Sequence, residues 1–188
     1  MSIIVDEPSG QIAARIAAER EHRGWSLAEL AERSGVSKAM LSKIQREEVS
    51  PTATLLSRIA TAFGLTLAGL LEPTSPPPAS LLRKRDQPRW QDPATGYVRR
   101  QVFQSALNPL ELVEVNLPAG SRVALPASSY AFIRQVVWLL SGRLDIREGA
   151  KLSSLEPGDR LEFGPPADSE FHNPGDKTCR YLVALVRQ

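Results

Sequence analysis

The sequence has a single cysteine, Cys179, and only two histidines, His22 and His172, among 188 residues. One cysteine excludes an intramolecular disulfide and fits a reducing, cytoplasmic setting. It lies in an apolar, strand-like run, which favours a buried structural thiol over a redox sensor. Two distant histidines leave no Ser/His/Asp or Cys/His constellation and little material for an imidazole metal centre, so neither an enzyme nor a metal or other cofactor is expected. No apolar run reaches the roughly 18 residues of a membrane span, and the opening MSIIVDEPSG lacks the basic and apolar regions of a secretion signal. A soluble protein with no membrane partner is expected. An excess of one charge is missing too: 23 Lys and Arg face 21 Asp and Glu. Residues 1–72 hold 8 basic and 9 acidic side chains, and the remainder 15 and 12. That balance argues against a general nucleic-acid coating protein, so any affinity for phosphate must come from local placement. What is present is ordinary: 42% apolar and 23% charged residues, enough for one large or two small packed domains.

The most informative stretch is Ser26 to Arg46, SLAELAERSGVSKAMLSKIQR. Ser26 reads as an N-cap, with Glu29 three residues on completing a capping box. Leu27, Leu30 and Ala31 give the first helix one apolar face, and Gly35 ends it in the left-handed conformation. Ser37 caps a second helix whose buried stripe is Met40, Leu41 and Ile44. Its other face carries Lys38, Ala39, Ser42, Lys43 and Arg46. Two short helices with a basic outer face on the second suggest a helix-turn-helix that reads DNA. A capped helix pair used for protein–protein contact is the alternative. Upstream, Ile12, Ala13, Ile16 and Arg20 mark a helix ending at Gly24. Downstream, Ser50 is expected to cap a helix with Pro51 at its first position. That helix stops at Gly64, and Thr66 opens a last one, TLAGLL.

This run of five helices resembles the Xre/Cro/phage-repressor family, roughly from Gly10 to Leu71. The resemblance is carried by Arg20, GWSLAELAERSGVSKAMLSKI, SPTATLLSRIATAFGL and TLAGLL. It implies a lambda-repressor-like bundle over residues 1–72 and double-stranded DNA as the partner. One departure stands out. Members often end the recognition helix with a glutamate that pairs with an arginine of the first helix, where this chain has Gln45, so at best an Arg20–Gln45 hydrogen bond is expected. Helix geometry puts Lys38, Ala39, Ser42 and Lys43 at base edges, lysine favouring guanine O6 or N7 and alanine a thymine methyl. Ser26 and Ser37, besides capping, stand where phosphate contacts form. Arg46 holds either a phosphate or a surface carboxylate.

After Glu72 the proline-rich PTSPPPAS forms an extended connector, followed by the basic LLRKRDQPRW; residues 73–92 are read as a linker. Arg83, Lys84, Arg85 and Arg89 form either a solvated run or an arm along the DNA backbone. From Tyr97, short Val-, Leu- and aromatic-rich segments separated by Gly and Pro turns predict an all-β sandwich or barrel. The expected strands are YVRRQVFQ, LELVEVNL, RVAL, YAFIRQVVWLLS, RLDIRE, RLEF and CRYLVALV.

Pro118-Ala119-Gly120, the hairpin VVWLLSGRLDI about Gly142, and Glu156-Pro157-Gly158-Asp159 make residues 93–188 resemble a cupin, a jelly-roll-like barrel. Metal-binding members present histidines and a glutamate; here the glutamate position is Gln135, the HxH positions fall in Ser128 to Ala131, and the last histidine position is Ser169. A metal site of that kind is therefore not expected. A pocket for a small effector is, lined by Ala131, Ile133, Gln135 and Val137, with His172 a further candidate whose place before Pro174-Gly175 favours a turn role over a ligand role. Gln135 satisfied by backbone in a filled core is the competing reading. A helix-turn-helix joined to a cupin resembles bacterial one-component transcriptional regulators, which implies a homodimer on two half-sites.

Overall fold

Burial and capping divide the helical half into five short segments. A computed structural model describes residues 8–71, 81–105 and 108–187, and the chain falls into two compact units, Met1–Ser75 and Pro76–Gln188. The first unit holds α1 (Pro8–His22), α2 (Leu27–Ser34), α3 (Lys38–Gln45), α4 (Ala53–Ala62) and α5 (Leu67–Leu71). Ile12, Ile16, Leu30, Val36, Leu41, Ile44, Leu56, Ile59 and Leu70 form its core. The caps of α2 and α3 fall where the sequence predicts them. Ser26 and Glu29 complete the capping box, and Gly35 takes φ 65°. Ser37 accepts from the Met40 N–H.

The start of α4 differs from expectation. Thr52, not Ser50, is the cap; its extended backbone lets Oγ1 accept from the Leu55 N–H at 3.4 Å. Pro51 is thus outside the helix. Both it and Leu56 are buried at the positions a hydrophobic staple uses. The expected Arg20–Gln45 bond is also absent. Arg20 Nη1 donates instead to the Trp25 carbonyl at 2.7 Å, and Gln45 Nε2 has no hydrogen-bond partner. A neutral amide competes poorly with a main-chain carbonyl that is already in place.

The second unit contains β1 (Arg89–Gln91), β2 (Val98–Ser105), β3 (Asn108–Leu117), β4 (Arg122–Leu125), β5 (Ile133–Ser141), β6 (Leu144–Glu148), β7 (Lys151–Leu155), β8 (Arg160–Glu162), β9 (Ser169–His172) and β10 (Cys179–Arg187). They form a six-stranded sheet, order β1-β2-β3-β10-β5-β8, and a four-stranded sheet, order β4-β9-β6-β7. Every pairing is antiparallel. Alternation puts Val113, Val115, Leu117, Val137, Leu139, Tyr181, Val183 and Leu185 inside from one sheet, and Val123, Leu144, Ile146 and Phe171 from the other. This double sheet is the cupin-like architecture that the second resemblance implies.

The seven expected strands are present, with one boundary moved. Residues Ala127–Tyr130 form a 3-10 turn, and β5 begins at Ile133. Three further strands were not expected: RWQ, KLSSL and SEFH are short and carry few β-branched residues. β1 also shortens the connector. PTSPPPAS lies outside the described residues, but Arg89–Gln91 pairs with β2 and Trp90 is buried, so the linker read to residue 92 stops before Arg89. Between β5 and β6, Gly142 takes φ 86°, and a Cβ there would lie 2.7 Å from Cys179 Cα.

Candidate nucleic-acid interface and barrel interior

The recognition surface starts from α3. Leu41 and Ile44 fix one side of the helix in the core, which turns Lys38, Ala39 and Lys43 outward as exposed side chains with Ser42 half-buried between them. All four base-edge candidates thus share one face. The two capping serines, both exposed, differ in surroundings. At α2 the Glu29 carboxylate accepts the Ser26 backbone N–H at 2.7 Å, while Ser26 Oγ accepts the Glu29 N–H. That bond holds the Glu29 carboxyl below its ordinary range, so a phosphate there would meet a fixed negative charge. The first turn of α3 has no acidic residue, which leaves Ser37 the better placed of the pair for a phosphate. Arg46 lies at the C-cap of α3 and pairs with a carboxylate, Glu48.

Behind this surface, Trp25 stacks on Phe63 with ring centroids 5.8 Å apart. Arg33 covers the Trp25 ring at 4.4 Å. Arg23 sits over Phe63 at 5.0 Å, donates to the Phe63 carbonyl at 2.7 Å and pairs with Glu19. These contacts tie the α1–α2 turn to the end of α4. The basic cluster after the connector is exposed: Arg83, Lys84, Arg85 and Arg89 all face solvent, Arg85 beside Asp86 at 3.7 Å.

Inside the barrel, Gln135 and Val137 point inward and are buried, while Ile133 is half-buried. Two candidates lie elsewhere. Ala131 is exposed at the end of the 3-10 turn, because the strand that would have aligned it begins two residues later. His172 is on the outer face of the four-stranded sheet, because Phe171 beside it points inward. Its Nδ1 is 3.6 Å from Asp145, in a shallow cleft of about 170 Å³ with Arg122, Arg147, Leu152 and Glu170. Neither side chain belongs to the interior.

Residues missed by sequence reasoning complete the interior. Tyr130, 6% exposed, directs its hydroxyl at the side chains of Ser169 and Gln135. Burial pushes its pKa far up, so the phenol is neutral. Yet Tyr130 Oη and Gln135 Nε2 have no hydrogen-bond partner of normal geometry, and Ser169 Oγ donates to the Ala167 carbonyl at 3.0 Å. Beyond them runs an aromatic ladder: Tyr130–Phe163 at 5.5 Å, Phe163–Phe171 at 5.9 Å and Phe171–Tyr181 at 5.8 Å. The alternation of SEFH and CRYLVALV was the available signal for Phe171 and Tyr181. Among the described residues, no three His, Cys, Asp or Glu side chains are grouped to hold a metal ion.

An amphipathic helix pair docked in a five-helix bundle, with a barrel to follow, defines a helix-turn-helix DNA-binding domain carried with a cupin-like domain. Residues 16–70, most of the helical unit, match the helix-turn-helix family. It is 28% identical over 162 residues to the HTH-type transcriptional regulator SutR of Escherichia coli K12, covering 86% of each chain. It is 36% identical to SinR of Bacillus subtilis over 62 residues, 32% of this chain and 56% of that one. A crystal structure of an HTH_3 family transcriptional regulator from Vibrio cholerae superposes with TM-score 0.79 at 21% identity, covering 96% of this chain and 97% of that one. No described helix is long and apolar enough to cross a membrane.

Proposed function

We propose that this helix-turn-helix transcriptional regulator reads a palindromic operator as a homodimer and that the barrel senses a small effector. The observation that carries the reading is the outer face of α3, where Lys38, Ala39, Ser42 and Lys43 stand together on a helix whose first turn is free of acidic residues. Base contacts from these side chains supply sequence discrimination, and Ser37 at the helix N-terminus supplies a phosphate contact.

One helix-turn-helix reads few bases, so a second copy is needed, with half-sites about 34–36 Å apart. The outer face of the six-stranded sheet suits that second copy. Its middle is apolar, with Leu112, Leu182 and Val136 around Trp138 and Val186, which are 48% and 43% exposed. Its β8 edge carries Arg160 and Glu162, charges of both signs that can meet their counterparts about a two-fold axis. The effector reading is supported by the unpartnered Tyr130 and Gln135 atoms, since buried polar groups without partners are rare in filled cores. An effector there would alter operator affinity only by binding the two dimer arrangements unequally.

In vitro selection of DNA bound by the purified chain tests the proposal. A palindrome with half-sites one helical turn apart, whose binding is lost in a Lys38→Ala/Lys43→Ala variant of unchanged fold, is the expected result. Failure to enrich any sequence, with or without cell extract as effector source, would leave the helix pair as a protein-binding module.

A further inference from the structure

The last turn of the recognition helix holds groups that the proposed reading does not use. α3 ends in a Schellman turn: the Glu47 N–H reaches the Ile44 carbonyl at 3.0 Å, and the Glu48 N–H reaches the Lys43 carbonyl at 2.9 Å. The left-handed position belongs to Glu47, φ 60°, among the described residues the one non-glycine with positive φ. Its carboxylate lies on the first turn of α1, 3.3 Å from where a side chain on Gly10 would begin. The chain reversal is thereby held from its far side, and it brings Glu48 back over the helix end.

Arg46 meets Glu48 there with two parallel bonds, Nε to Oε1 at 2.6 Å and Nη2 to Oε2 at 3.2 Å. Its remaining arm, Nη1, donates to Ser42 Oγ at 2.9 Å. Two N–H groups on two oxygens is also the geometry by which arginine takes a phosphate. The carboxylate therefore occupies the fork that the DNA backbone would enter. The pair also raises the Arg46 pKa and lowers that of Glu48, to which the nearby Lys43 charge contributes.

We propose that Glu48 is an internal stand-in for phosphate at Arg46, withholding one backbone contact from DNA of arbitrary sequence and thereby sharpening the selectivity of α3. The inference rests on the DNA-reading function proposed above. Its logic is one of competition. Side-chain exposures of 59% for Arg46 and 48% for Glu48 make the pair exchangeable, yet the carboxylate is tethered two residues away whereas a phosphate arrives from solution. On arbitrary sequence all affinity comes from phosphates, so a withheld contact weakens the whole of it. On an operator, base contacts from Lys38, Ala39, Ser42 and Lys43 carry a share that Glu48 does not touch. The Arg46–Ser42 bond adds a second effect: with an acceptor site of Ser42 Oγ occupied, its proton is available for an acceptor on a base edge.

The test is binding of the full-length chain to a short fluorescent duplex of arbitrary sequence across a salt series. Glu48→Gln is expected to tighten binding several-fold and to steepen the salt slope by about 0.9, the share of one phosphate. Arg46→Gln is expected to leave the slope nearly unchanged in the native background and to remove that increment in the Glu48→Gln background. Equal flattening by Arg46→Gln in both backgrounds would overturn the inference, as would a Glu48→Gln slope identical to native. Absence of duplex binding by every form, the native chain included, would instead defeat the DNA-reading function and the inference with it. Should circular dichroism show Glu48→Gln misfolded, Glu48→Asp replaces it; the shorter arm cannot reach Arg46 with both oxygens, and the same direction is expected.

Discussion

Gly142 and Cys179 show how little freedom single positions have in the barrel. At Gly142 two demands coincide, a left-handed φ of 86° and a backbone neighbour at 2.7 Å from any Cβ. Gly142→Ala is therefore expected to destabilise the protein by about 3 kcal/mol or more in urea unfolding. Gly120→Ala, at φ 68° with nothing near, should lose only about 1–2 kcal/mol. The Cys179 thiol is fully buried, and burial pushes its pKa up to about 11 from an ordinary 9.0. The native state thus keeps a proton that the unfolded state releases, so this group's contribution to stability is complete below pH 9 and declines as pH rises through 11. Iodoacetamide at pH 8 should leave the native thiol unmodified and label it once the chain is unfolded. Residues of this kind were partly legible in sequence. Counting from Gly142 located Gln135 inside the barrel, whereas Tyr130 was read as the start of a strand because no local signal marks a 3-10 turn after Pro126. His172 was misplaced for a related reason. With β9 unrecognised, nothing indicated that Phe171 would face in and turn its neighbour out.

Helix termini are where sequence and structure agree most closely, because caps are local. Ser, Gly and Glu at fixed offsets satisfy main-chain groups within a turn, and no distant contact is needed to read them. Ser26→Ala should remove about 1 kcal/mol of stability. Glu29 adds a pH dependence. Its carboxyl is held low, first by the Ser26 backbone N–H and then by the Ser26 hydroxyl, so its stabilisation is full above the ordinary carboxyl range and is lost as pH falls through the lowered value. The advantage of the native chain over Glu29→Gln in thermal melts should shrink on acidification and vanish at low pH. Where two residues both qualify, local reading loses its power. Ser50 and Thr52 both qualify as caps, serine if anything the better, and the choice of Thr52 comes with the burial of Pro51 and Leu56, a tertiary matter. The same limit hid β7 and β9, which are strands because β6 pairs with them, not because KLSSL or SEFH favours one.

At the scale of the whole molecule, the outer face of the six-stranded sheet is the surface through which the proposed dimer would form. Trp138→Arg places a charge on that face, between Leu182 and the β8 edge, without entering either core, since Trp138 is 48% exposed. Sedimentation should then show a dimer for the native chain and a monomer for the variant, and affinity for a palindromic operator should fall by at least 100-fold, about 2.7 kcal/mol, with thermal stability of the monomer fold little changed. This face was invisible to composition, because an exposed tryptophan on a strand looks like any other alternating position until register aligns it with Leu182.

β10 lies between β3 and β5 in the middle of the larger sheet, and Leu117, Leu139 and the rest of the interior wall close only around it. A ribosome making this chain therefore releases the helical unit, Met1–Ser75, before the barrel can close. On the proposed reading, each nascent chain in that interval carries its reading head without the sheet face that would pair it. If the proposed pairing holds, its grip on DNA is that of one half-site until β10 is in place, and unfinished copies compete weakly for the operator.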